Sequence, residues 1–116
     1  MTLFNTKGGS KLGKGKLIES GITDPECMSM LAGYRRSVAS SYSPLLPDQL
    51  SELSALGQMH VSPKIDGELW FLIFEKKSVA LANSKGTIIT GDIPILDEAS
   101  SFAGKCNGRT IIAGEL

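Results

Sequence analysis

Lys64, Asp66 and Gly67 lie together in the stretch His60–Phe74, HVSPKIDGELWFLIF, just ahead of a nearly unbroken apolar run. Lysine attacks an electrophile only as the neutral amine, and its free pKa is about 10.4. Partial burial or a neighbouring cation lowers that value and frees the lone pair. Lys64 sits where MHVSP meets the apolar run, so partial desolvation is expected there. Asp66 is two residues on and shares a side with Lys64 if the segment is extended. Gly67 removes a side chain where a ligand or a second strand must come close. The three together amount to a nucleophile, an orienting carboxylate and a backbone opening, held at the start of a rigid strand. Asp-Gly is also an ordinary turn signal.

Other residues that could do chemistry are weaker candidates. GGSKLGKG, Gly8 to Gly15, nearly matches the phosphate-binding loop G-x-x-x-x-G-K-[ST], but Gly15 stands where a hydroxyl residue must hold magnesium. That loop also needs a buried strand before it and a helix after it, and neither pattern is present. His60 is the only histidine and has no metal-ligand partner at a recognisable spacing. Trp70 and Phe71 belong to the apolar run and read as core. Arg35 and Arg36 read as a solvated helix face. Cys27 and Cys106 show no ligand spacing and read as free thiols of a reducing compartment.

The elements that must position Lys64 follow from periodicity. Residues 1–20 are rich in Gly and Lys and read as a flexible arm. Thr23 or Asp24 caps a helix with Pro25 in its first turn, and Cys27, Met28, Leu31, Tyr34 and Val38 recur at helical spacing. PDQLSELSAL predicts a second, short helix with Leu50, Leu53 and Leu56 as its stripe and Gly57 as its stop. These two helices make residues 21–57 a helical segment. GELWFLIFE then reads as a strand buried on both faces. The strands VALAN and TIIT, the helix LDEASSFAGK and the last strand RTIIAGEL complete an antiparallel meander with one helix inserted. The class is α+β, N-terminal helices followed by an antiparallel sheet.

At 116 residues the chain is one modest domain, 41% hydrophobic and 6% aromatic, as soluble globular proteins are. Formal net charge is zero, so total charge argues for no nucleic-acid or membrane partner. Residues 1–40 hold six Lys/Arg against three Asp/Glu, and residues 41–116 hold six against nine, a local +3 and −3. There is no apolar run of membrane-spanning length and no apolar signal core, so the cytoplasm is the expected location.

KIDGELWFLIF, NSKG (Asn83 to Gly86) and TIIAGEL (Thr110 to Leu116) resemble, in order and spacing, the first motifs of the covalent nucleotidyltransferases. That superfamily holds ATP-dependent DNA ligases, RNA ligases and mRNA capping enzymes, and the DNA ligases are the nearest branch. The resemblance covers about residues 58–116. It implies the first half of an ATP-grasp-like adenylation domain. Lys64 would be the nucleophile that takes AMP from ATP, and Asp66 its orienting group. Gly67 would line the nucleotide site, Lys85 would reach the ribose, and Glu115 would approach the ribose or a metal-bound water. Mg²⁺ is implied as cofactor, and GTP or NAD remains open beside ATP. The acceptor would be a nucleic-acid 5′-phosphate, nicked DNA or RNA.

The departures from the pattern are specific. Leu69 stands where DNA ligases and capping enzymes carry arginine, Lys85 where the family has arginine, and Ala113 where it has the aspartate of D-G-E-L. The later motifs do not occur before Leu116. The expectation is therefore the front of an adenylation domain, with the missing C-terminal half as a partner and little strand joining by the isolated chain. Self-association through an exposed WFLIF segment is expected as well. The alternative is a non-catalytic protein of the same ancestry that binds a nucleotide or a partner chain.

Overall fold

The computed structural model describes residues 3–116. Its centre is one antiparallel sheet of six strands: β1 (Ser10–Leu12), β2 (Gly15–Ile18), β3 (Leu69–Glu75), β4 (Ser78–Ala82), β5 (Ile88–Gly91) and β6 (Thr110–Glu115), in the spatial order β1-β2-β5-β4-β3-β6. The helices are α1 (Pro25–Ala39), α2 (Leu50–Ser54), which continues a 3₁₀ turn at Pro47–Gln49, and α3 (Pro94–Ser100), followed by a 3₁₀ turn at Ala103–Lys105. The α+β class is as the periodicity predicts.

β3 is the spine. Its side chains alternate across the sheet, and both faces are covered because the run is apolar throughout. Phe71 and Ile73 point to the α1 face, where Ala80, Ala82 and Ile88 meet Cys27 and Leu31. Tyr34 stands edge-on against Phe71, ring centroids 5.3 Å apart and planes at 88°. Phe74 points to the other face and packs with Ala99 and Ala103. Leu81, Ile89 and Leu96 form a third group beside it, under α3.

Residues 10–18 form no flexible arm. They are a hairpin whose second strand pairs with β5, from Gly15 opposite Gly91 to Ile18 opposite Ile88. Gly13, at φ 59°, takes the first place of the two-residue turn, where positive φ is required. A Cβ on Gly15 would lie 2.6 Å from the Thr90 carbonyl, so only glycine lets these strands approach. Of the apolar residues before α1, Leu3, Phe4, Ile18 and Ile22 are buried in the α1-side core, Leu17 is half-buried and Leu12 is exposed. Sparse apolar residues misled the composition argument because four of them are core residues. The Gly-rich loop GGSKLGKG lies in this hairpin and leads into no helix.

Two further expectations are revised. β6 does not follow β5 in the sheet; α3 carries the chain across the sheet, and β6 lies antiparallel beside β3. WFLIF is therefore paired on both sides, by β4 and β6, and the strands at the sheet's edges are β1 and β6. The leucine stripe of α2 is not a buried face: Leu50 is 54% and Leu56 82% exposed, and Leu53 is only half-buried. Five residues of helix make too few bonds to hold a packing face by themselves.

Candidate functional site

The site begins at the β3–β6 end of the sheet. Glu68 and Leu116 exchange both main-chain hydrogen bonds at 3.0 Å, one step beyond the named strands. This fixes Gly67 directly beside the end of β6. A Cβ there would lie 2.6 Å from the Leu116 carbonyl oxygen, so the backbone approach expected at Gly67 is made by this chain's own last strand. Glu115 closes the junction: its Oε2 accepts the Gly67 N–H at 2.8 Å. A K-x-D-G glycine and the glutamate of the last motif, 48 residues apart, are thus hydrogen-bonded neighbours.

Lys85 arrives from the turn between β4 and β5. Asn83 builds that turn with its side chain, Oδ1 accepting the N–H groups of Lys85 and Thr87, both at 3.0 Å. Gly86 completes it at φ 86°, seated against Met28 of α1. The Gly86 carbonyl in turn accepts the Gly21 N–H at 2.9 Å. Lys85 itself is exposed, on a turn anchored from three sides.

Gly67, Glu68 and Lys85 line one cleft of ≈ 410 Å³ together with Arg35 and Ser84. A second cleft of ≈ 290 Å³ shares Arg35 and Leu69 with it and extends to Tyr34, Tyr42 and Glu115. Each is of the size that small ligands occupy, or near it. The cleft carries two cations, Arg35 and Lys85, neither in an ion pair among the described residues. Against them this cleft sets one acid, Glu68, which accepts the Trp70 indole N–H at 3.2 Å; Glu115, which holds Gly67, lines the second cleft. An anion is the ligand such a balance favours.

Lys64 and Asp66 are placed otherwise than expected. Both are exposed, in the irregular segment between Gly57 and Leu69, and neither lines the cleft. Lys64 is neither buried nor fixed to a strand, because β3 begins only at Leu69 and its pairing with the end of β6 reaches back no further than Glu68. The segment carries Met59, Val61 and Ile65 outward, at 47%, 89% and 67% exposure, so nothing packs it down. Gly67 is three positions after Lys64, which limits their Cα separation to about 11 Å. His60 is exposed in the same segment. Among the described residues no three His, Cys, Asp or Glu side chains gather as a metal site. Mg²⁺ bound with a nucleotide needs only one or two carboxylates beside the phosphates, and Asp66 and the free oxygens of Glu68 and Glu115 are what this end of the sheet offers.

Sequence reasoning missed two residues. Arg35 reads as solvated face, yet it is four residues after the buried Leu31 and so leans over the same end of the sheet. Arg109 gave no signal at all. Its Nη1 donates to Asp24 Oδ2 at 2.6 Å and its Nε to Glu75 Oε2 at 2.8 Å. It thereby ties the cap of α1, the end of β3 and the start of β6 together. Asp24 is held below the usual carboxylate range, first by Arg109 and then by the N–H of Glu26 that it caps. Arg109 is raised in turn by its two carboxylates. Burial pushes the Cys27 thiol up, so it is an inert core residue. Both cysteines are free.

No protein-family model, curated protein or solved structure matches the chain. No helix among the described residues is long and apolar enough to cross a membrane.

Proposed function

We propose that the chain belongs to an ATP-dependent, nucleic-acid-ligase-like nucleotidyltransferase of the covalent, ATP-grasp-like kind. One observation carries the reading. Gly67, Lys85 and Glu115 come from three separate motifs and meet at one end of the sheet, two of them in direct hydrogen bond and two lining one cleft with unpaired cations. A chance K-x-D-G has no reason to gather the other two.

In this reading the cleft holds the nucleotide. Lys85 and Glu115 flank the ribose, and the Lys64 side chain swings in from its exposed segment. The neutral amine of Lys64 attacks the α-phosphorus: a nitrogen–phosphorus bond forms, the bond to the β-phosphate breaks, pyrophosphate leaves and the amine proton goes to water. Mg²⁺, when bound with the triphosphate, neutralises phosphate charge. AMP then passes to a 5′-phosphate on DNA or RNA.

The test is a covalent label. The longest natural polypeptide carrying residues 1–116 is incubated with α-labelled ATP and Mg²⁺. The expected result is an AMP adduct that Lys64→Ala abolishes. Lys64→Arg abolishes it too, because guanidinium stays protonated. An adduct that survives Lys64→Ala overturns the assignment. The exposure of Lys64 outside the cleft favours a second reading, a nucleotide-binding protein without transfer chemistry. Its signature is ATP binding that depends on Lys85 with no adduct in any polypeptide that carries these residues.

A further inference from the structure

The outer edge of β6 is built to pair with another strand. Glu68 and Leu116 exchange both of their bonds, and antiparallel pairs alternate between bonded and non-bonded. With the register Trp70–Gly114 and Leu72–Ile112, those pairs are bonded as well. Ile111, Ala113 and Glu115 therefore turn their N–H and C=O groups away from β3. Among the described residues no main-chain bond reaches that side. β1, the opposite edge, is three residues long and carries Lys11 outward. β6 has six residues, with neither proline nor lysine, and its neighbour Arg109 is engaged with Asp24 and Glu75. Its one charged residue, Glu115, is turned onto Gly67, so the edge strand has little of the usual protection.

We infer that β6 pairs antiparallel with β6 of a second copy about a two-fold axis at Ala113, joining two sheets into one. This register sets Ala113 opposite Ala113 and Ile111 opposite Glu115, so every outward-turned residue of the strand is bonded. No like charges face each other, and formal net charge is zero, so nothing repels the two copies at range. On the α3 face the register brings together the apolar residues that one copy leaves bare. Ile112, 53% exposed, lies opposite Gly114 and diagonal to Ile112 and Leu116 of the second copy, and Leu116 is itself 56% exposed. Diagonal neighbours in a sheet lie within side-chain reach. The interface shares Glu115 with the proposed nucleotide site, but its test reads association alone, with no nucleotide present.

Sedimentation equilibrium tests it on the full chain. The wild type is expected to be a dimer. Ala113→Pro removes one outward N–H and no bond to β3, and it should raise the dimer dissociation constant at least about tenfold. Ile112→Lys, a change on the exposed face, should do the same with an unchanged circular dichroism spectrum, so a folding defect in the proline variant does not decide the matter. Ala113→Cys in a Cys106→Ser background should cross-link to itself on mild oxidation. Bonded antiparallel partners have Cα atoms about 5.5 Å apart, within disulfide range. A wild type that stays monomeric at high concentration overturns the inference. So does a dimer that keeps its affinity in Ile112→Lys, or one that the cysteine variant does not cross-link.

Discussion

Arg109 is the residue on which three elements depend, and its effect on stability should vary with pH. Arg109→Gln removes both ion pairs and leaves Asp24 with only its cap contact. Both carboxylates are partly exposed and screened by solvent, so the cost should be small but measurable at neutral pH. Asp24 has a folded pKa below its unfolded one, so its stabilisation is present above the unfolded value and disappears as pH falls through the folded value. Urea midpoints of wild type and Arg109→Gln should therefore differ at neutral pH and converge on acidification to about pH 2. A gap that persists in acid would mean that packing, not charge, makes the difference. Gly67 gives a complementary case. Gly67→Ala forces a Cβ against the Leu116 carbonyl and disturbs the contact with Glu115. ATP binding should weaken at least about tenfold while the unfolding midpoint falls little, since only the frayed end of the ladder is involved. Arg35→Gln and Lys85→Ala should weaken ATP binding similarly by calorimetry, and Arg36→Gln should not. Equal effects from Arg35 and Arg36 would remove Arg35 from the site.

At the scale of elements, the N-terminal strand pair is structural. Phe4 is 8% exposed and shares one core with Phe71 and Leu31. Phe4→Ala should cost about 3 kcal/mol, as a buried aromatic does. A cost below about 0.5 kcal/mol, the surface-substitution range, would return residues 3–20 to the status of a loose arm. The β4–β5 turn is as rigid as the strands it joins, because Asn83, Gly21 and Met28 all hold it. Gly86→Ala places an L-residue at φ 86° and should cost about 1–2 kcal/mol.

At the scale of the whole molecule, order is uneven. The sheet with α1 and α3 forms the body, while residues 41–66 carry Tyr42, Leu45, Leu46, Leu56, Val61 and Ile65 outward. The described residues span 53 Å along the long axis against 29 and 27 Å. Hydrogen exchange should be fast throughout Gly57–Asp66 and slowest in β3 and β4, two of the four strands with neighbours on both sides and the ones that pair with each other over the longest stretch of interior ladder. Limited trypsin digestion should cut first after Lys64, and addition of ATP should slow that cut if the lysine enters the cleft. Protection of Lys64 in the absence of ligand would mean that the segment is packed.

The sequence by itself determined the elements whose signals are local. α1 starts at the Asp24 cap and Pro25, and its buried positions Cys27 and Leu31 are the ones its spacing picks out. β3 is buried on both faces, as an unbroken apolar run must be, and the turn at Asn83–Gly86 follows from an asparagine and a glycine in their usual places. The antiparallel class was legible for the same reason. The tertiary structure alone decided which strands are neighbours. β6 lies beside β3 rather than β5, which makes WFLIF interior, leaves Ile111 to Glu115 at an edge, and joins Glu115 to Gly67. Strand order rests on contacts far apart in the chain, and no local pattern encodes them. The same reason hid Arg109, whose partners are 85 and 34 residues away, and the hairpin at residues 10–18, whose few apolar side chains gain their burial only against the distant β5 and α1. The sequence named Lys64 by its motif; the tertiary structure left it in solvent, because nothing apolar around it finds a surface to pack on.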